Sequence, residues 1–177
     1  MHPLLVSEIA LGRQADLRRE AVPLRVRALG PADRALVEAG FRTLSATTIL
    51  ARFLGFVKMS PRLMSWVDEL DDRQRIAVGA SHALSGAPLG LARCVRDARD
   101  STRADVAVTV LDRWQGRGVG TALMAELARR AAAVGITTFD ATVFADNRAA
   151  RRLAAGVGEP QVSRTGGGVT SLEIRLG

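Results

Sequence analysis

The chain has 177 residues, 47% hydrophobic and 24% charged, with 25 Lys+Arg against 18 Asp+Glu and a formal net charge of +7. That length suits one domain with a sizeable core and is short for two. No apolar run reaches the roughly 18–20 residues of a membrane span, the N-terminus lacks the basic n-region of a secretory signal, and a single cysteine, Cys94, excludes an internal disulfide, so a cytoplasmic protein without membrane association is expected.

Residues 1–20 carry Leu4, Leu5, Ile9, Leu11 and Leu17 among polar residues, with Pro23 behind them. This spacing predicts an amphipathic helical extension over 1–21, ahead of one domain over 22–177. The extension could dock on the domain or on a partner chain, so a homodimer is one expectation. Residues 22–29 alternate apolar and polar side chains at the period of a half-buried strand. Gly30, Pro31 and Asp33 then open a helix to about residue 43, with proline in the first turn, where a missing N–H costs nothing. Residues 46–56 and 61–70 read as two further helices, the second capped by Ser60 and starting at Pro61.

Two strands follow at 75–82 and 89–95, joined by a turn at 85–88, so a hairpin is expected. After a polar Asp- and Arg-rich loop over 96–103 comes a third strand at about 105–111. A glycine-rich loop and a helix over 118–134 are next, with Gly135 at the C-cap position. A strand over 136–144, a helix over 147–155 and a closing hairpin around residues 165–168 complete the chain. The pattern predicts an α+β (α/β/α) domain around a mixed, mostly antiparallel sheet, with a strand–helix–strand crossover in the middle.

Only Lys58 among the basic residues is a lysine; the other 24 are arginines, spread along the whole chain. Biased genomic composition accounts for this as readily as an acidic partner does. Without a stripe or a recognition motif, no nucleic-acid partner is expected. No Cys/His cluster has metal-ligand spacing, so no metal is expected.

The loop after the third strand decides the function. It runs Leu111-Asp-Arg-Trp-Gln115-Gly-Arg-Gly-Val-Gly120-Thr121 and exposes successive N–H groups at the positive end of a helix, a place for a phosphate. A Walker A loop fails for want of the lysine that follows its glycines. A dinucleotide fingerprint needs Gly-x-Gly-x-x-Gly directly after a strand, with an acidic residue at a strand end about 20 positions on. Here the glycines fall at 116, 118 and 120, four residues separate them from the strand, and Asp140 sits in mid-strand. The remaining pattern is Gln/Arg-x-x-Gly-x-Gly/Ala, filled by residues 115–120.

With that loop, the string from Ala104 to Leu123 and the later Ala141-Thr-Val-Phe-Ala-Asp146-Asn147-Arg148 resemble the GNAT-fold N-acetyltransferases, in particular bacterial protein-lysine acetyltransferase domains. The order of elements fits that fold from about residue 22 to the end. The resemblance implies acetyl-CoA as cosubstrate. The pyrophosphate would meet the amides of Gln115, Gly116, Arg117, Gly118, Val119, Gly120 and Thr121, and the glycines would let backbone approach the ligand without a Cβ in the way. The pantetheine arm would pair with backbone near Val108 and Val110, like an added strand. Asn147 matches the family residue that contacts pantetheine, while on its own it reads as a helix N-cap. Arg117 and Arg148 are further candidates for the phosphates.

Acetyl transfer to an amine needs a neutral amine, because a free lysine has a pKa near ~10.4. The candidate general base is Asp105, at the start of the strand where several family members carry Glu; being shorter, it would work through a water. An ion pair with Arg103 is the plain alternative. Many family members use a tyrosine in the helix after the Asn as the acid, and this chain has no tyrosine. Cys94 and His82 read as a core thiol and a sheet-face imidazole, and Trp66 and Trp114 as packing residues. The expected function is acetyl transfer from acetyl-CoA to a primary amine, a small molecule or a protein lysine. The competing reading is a non-catalytic acyl-CoA-binding sensor or scaffold.

Overall fold

Valine-rich alternation makes strands of the middle of the chain, and a pair of glycines folds its end into a hairpin. The computed structural model describes residues 22–53 and 61–177. Seven strands lie in one sheet: β1 (Leu24–Ala28), β2 (Arg75–His82), β3 (Pro88–Arg96), β4 (Arg103–Val110), β5 (Thr138–Phe144), β6 (Gly158–Gly166) and β7 (Val169–Leu176). Their order is β1-β2-β3-β4-β5-β7-β6. Every neighbouring pair is antiparallel except β4 and β5. The α+β class and the central crossover are as expected from the sequence. Gly167 and Gly168, at φ +60° and +77°, turn β6 into β7, the two positive φ values that a tight hairpin turn of this hand requires.

Among the described residues four α-helices flank the sheet: α1 (Arg34–Phe41), α2 (Ala46–Phe53), α3 (Val119–Ala133) and α4 (Arg148–Ala155). Alternation along the strands builds two apolar layers. Ala104, Val106, Val108 and Val110 of β4 join Leu123, Met124 and Leu127 of α3 in one core. On the opposite face Ala77 and Leu91 pack with Val37 and Phe41 of α1, and with Met64, Trp66 and Val67. α1 is preceded by a 3-10 turn, Pro31–Asp33, and the Gly30 N–H donates to Asp33 Oδ2 at 3.0 Å.

The segment expected as a helix over 61–70 is instead a 3-10 helix, Pro61–Val67. Its continuation also follows three-residue spacing, with the Asp68, Glu69 and Leu70 N–H groups donating three residues back. Met64 and Val67 are both buried, and at three residues per turn they stack on one edge. The Ser60 cap, residues 54–56 of the second helix and the N-terminal helix lie outside the described residues. Among the described residues, no helix is long and apolar enough to cross a membrane.

The feature that makes a site is a split in the sheet. The parallel pairing of β4 and β5 covers only Arg103↔Thr138, Ala104↔Phe139 and Asp105↔Asp140. β5 stays paired with β7 as far as Phe144, and β4 stays paired with β3 as far as Val110. Past Asp105 the two parallel strands part.

Candidate active site

Hydrogen-bond phase shows what lines that gap. The Asp97 N–H donates to Arg103 O and the Leu111 N–H to Leu89 O, so odd-numbered residues of β4 address β3. In an antiparallel ladder the intervening residues turn their N–H and C=O the other way. Val108 and Val110 therefore present N–H and C=O groups to the gap, and Val106, whose N–H still belongs to the β4–β5 ladder, presents its C=O, while their side chains enter the α3 core. Buried backbone polar groups need partners. One is supplied locally, because Gln115 Nε2 donates to Val110 O at 3.0 Å.

The loop leading to α3 follows at once. A 3-10 turn, Asp112–Trp114, precedes Gln115, and Gly116 and Gly118 adopt φ +66° and +82°. Gly118 is the N-cap of α3, in the left-handed region and without a side-chain cap bond. The helical ladder begins with the Ala122 N–H donating to Gly118 O, which leaves the N–H groups of Val119, Gly120 and Thr121 at the positive end of a 15-residue helix. Gly116, Arg117, Gly118 and Thr121 are exposed, so the loop is open to a ligand. A Cβ at Gly120 would sit 3.2 Å from both Leu153 methyls of α4, so this glycine also serves close helix packing. The Arg117 guanidinium stacks over Trp114, 5.4 Å from the ring centroid.

Asp105 stands at the point where the strands part. It is half-buried on the face shared with Ala107 and Thr109, opposite the α3 core. Arg103 is held elsewhere: its Nε and Nη2 bond both Asp140 oxygens at 3.0 and 2.5 Å, and Nη2 reaches Glu173 at 2.8 Å. Those bonds, the one to Asp140 foremost, raise its proton affinity. Asn147 is the N-cap of α4 and its side chain accepts from the Ala150 N–H at 3.0 Å. It lies three residues past the end of β5. α4 contains only Arg, Ala and Leu, so it offers no hydroxyl.

The remaining residues have structural surroundings. Cys94 is buried, and burial pushes its thiol up to about 12. His82 Nδ1 accepts from the Leu84 and Ser85 N–H groups in the β2–β3 turn. Trp66 and Trp114 pack against the two cores. Among the described residues no group of His, Cys, Asp or Glu could hold a metal ion.

One feature near the loop escaped the sequence reading. Asp112 accepts from Ser45 Oγ at 2.6 Å, Thr48 Oγ1 at 2.7 Å and the Ser45 N–H at 3.0 Å. Burial pushes its carboxyl up, but these bonds outweigh it and hold the pKa below the ordinary range. Thr48 Oγ1 also lies 3.3 Å from Gln115 Nε2. Ser45 Oγ caps α2 by accepting from the Thr48 N–H at 3.2 Å, and Asp112 holds Ser45 and Thr48 and so ties that helix start to the glycine loop. The partners are 64 and 67 residues apart, beyond the reach of any local pattern.

A split sheet with an open glycine loop at a helix N-terminus suits an extended, phosphate-bearing ligand. Comparison with known proteins agrees. The model of the acetyltransferase (GNAT) family matches residues 46–158. The chain is 35% identical over 109 residues to acetyltransferase Pat of Mycolicibacterium smegmatis, covering 62% of this chain and 33% of that one. It therefore spans about a third of the length of that curated relative. The GNAT domain of S. lividans PAT superposes with a TM-score of 0.77 at 24% identity, covering 88% of this chain and 94% of that one. yncA of Salmonella typhimurium, solved with its cofactor acetyl-CoA, shares the fold at a TM-score of 0.67 and 17% identity, over 88% and 95% of the two chains. The chain belongs to the GNAT acetyltransferase family.

Proposed function

We propose that the chain is an N-acetyltransferase that moves an acetyl group from acetyl-CoA to a primary amine by direct attack. The observation that carries this reading is the parting of β4 from β5, which turns the backbone of Val106, Val108 and Val110 to a gap beside the glycine loop. An extended pantetheine chain hydrogen-bonds such a backbone as an added strand does. The amides of residues 115–121 would receive the pyrophosphate, with the α3 dipole in favour. Asn147 would keep its capping bond and offer its amide Nδ2 to the pantetheine, so the two roles coexist.

In the reaction the amine nitrogen bonds to the thioester carbonyl carbon, the C–S bond breaks, and the thiolate leaves to take up a proton. The Val110 N–H supports the carbonyl oxygen as negative charge develops there. Asp105, on the face where an amine can approach, takes the amine proton through a water. No hydroxyl on α4 can return a proton to the sulfur, so water is assigned that step. The acceptor is a small-molecule amine or a protein lysine.

The missing hydroxyl on α4 favours a second reading, a non-catalytic acyl-CoA-binding module. Thiol release with acetyl-CoA and a panel of amines and lysine peptides decides between the two. The enzyme reading expects amine-dependent release that falls in Asp105→Ala. Cofactor binding with no release for any amine supports the module, and no binding at millimolar acetyl-CoA removes both.

A further inference from the structure

Beneath α1, on the sheet face opposite α3, lies a cavity of about 250 Å³. Leu29, Val37, Phe41, Leu91 and Leu111 supply apolar walls, and Leu36, 41% exposed, lies at its lip. Gly40 of α1 also borders it, and an added Cβ there would meet nothing within 4 Å. Arg27 is the one ionisable residue of the described lining, and Asp33 holds its guanidinium at 2.7 and 3.0 Å. One enclosed polar atom on this wall has nothing to bond. Thr109 of β4 lines the cavity and is 3% exposed, and its Oγ1 has no hydrogen-bond partner among the described residues.

A buried hydroxyl left unpaired costs free energy that a ligand group can recover. The walls ask for an apolar body around that group. An apolar cavity of about 150 Å³ is enough for benzene, so a ring with a two-carbon arm has room here. No carboxylate is among the described lining residues, so an ammonium carried deep into the cavity would lose its hydration unpaired. None of residues 112–121, α3 or α4 lines the space, so its ligand enters apart from the proposed cofactor amides. Thr109 directly precedes Val110, whose N–H supports the carbonyl oxygen in the proposed reaction. A nitrogen bonded to Thr109 Oγ1 is thus held beside the residue that meets the thioester.

We propose that this cavity is the acceptor site, that it takes a small primary amine on an apolar body, an arylalkylamine and not a protein lysine, and that Thr109 Oγ1 accepts the amine N–H. The acceptor part rests on the acetyltransferase reading above; the binding of an apolar ligand at Thr109 does not. Enclosure favours the neutral, attacking form of the amine, and the bonds made and broken are those already given.

The test uses the full chain and two readouts. Calorimetry without cofactor follows 2-phenylethanol, a neutral probe whose hydroxyl takes the place of the amine. Saturable binding is expected, weakened about 3- to 10-fold in Thr109→Val and restored to within about twofold in Thr109→Ser. Valine keeps the shape of threonine and removes only the unpaired hydroxyl, so that variant folds. No binding by the wild type, equal affinity in Thr109→Val, or equal losses in both variants overturns the site.

In thiol release, kcat/KM should rise about fourfold per methylene from ethylamine to butylamine and rise again for 2-phenylethylamine. For 1,4-diaminobutane and a lysine peptide it should be at least about 10-fold below butylamine. A flat series, or a lysine peptide used as well as 2-phenylethylamine, overturns the acceptor assignment. Calorimetry with acetyl-CoA separates the two failures. Absence of cofactor binding defeats the acetyltransferase reading, while binding of 2-phenylethanol at Thr109 stands or falls by itself.

Discussion

Gly118 and Gly135 have nearly the same backbone, φ +82° and +86°, and a Cβ at either would meet nothing within 4 Å. An alanine at either position therefore differs from glycine in backbone strain alone. That strain is about 1–2 kcal/mol, which for a domain of this size lowers Tm by roughly 2–8 °C. The two sites differ in what the strain disturbs. Gly135 ends α3 far from the cleft; Gly118 opens the helix where the Val119, Gly120 and Thr121 amides converge. Relaxation of Gly118→Ala turns those amides from their common point, and a loss of one charge-assisted hydrogen bond weakens acetyl-CoA by about 10-fold or more. The assay is calorimetric titration of acetyl-CoA into both variants after thermal unfolding has shown comparable destabilisation. An unchanged Kd in Gly118→Ala, or equal losses in the two variants, would refute the assignment of this loop to the pyrophosphate.

Asp105→Asn should lower kcat by about 10²–10³-fold while acetyl-CoA affinity stays within twofold, measured by thiol release and calorimetry; a weakened cofactor with normal kcat would place Asp105 elsewhere. Asp112→Ala removes the acceptor of three hydrogen bonds at a half-exposed helix start and should cost about 1–2 kcal/mol by denaturant unfolding. Because the folded pKa of Asp112 lies below its unfolded value, this contribution is full above about pH 4 and is lost as pH falls through the folded pKa. The gap between wild type and Asp112→Asn should accordingly close in acid. With its thiol raised to about 12, Cys94 should resist thiol reagents at pH 8 until the chain unfolds; rapid labelling of the native protein would contradict its burial.

The elements of the sheet were legible because their signals are local. Alternation marked the strands, Gly135 marked the end of α3, and the spacing of residues 115–120 singled out the loop. What lay beyond reach depends on register or on distant partners. Nothing in β4 or β5 alone says that their pairing stops after Asp105, because the parting is a property of two strands separated by a helix. The bond from Ser45 to Asp112 joins residues 67 apart. Gly120 looked like its neighbours in the motif, yet only the approach of Leu153 reveals that it serves packing. Arg52 was one arginine among 24 until the fold enclosed it. The proline at 61 marks a helix start without fixing its type, and apolar residues at 64 and 67 suit the 3-10 period as well as the α period.

The gap beside β4 and the glycine loop are proposed to receive acetyl-CoA together. Amide hydrogen exchange with and without saturating acetyl-CoA tests it most directly. New protection is expected at Val108 and Val110 and across residues 116–121, with Gly135 and the β6–β7 turn unchanged. Saturable binding that leaves those two segments unprotected would contradict it.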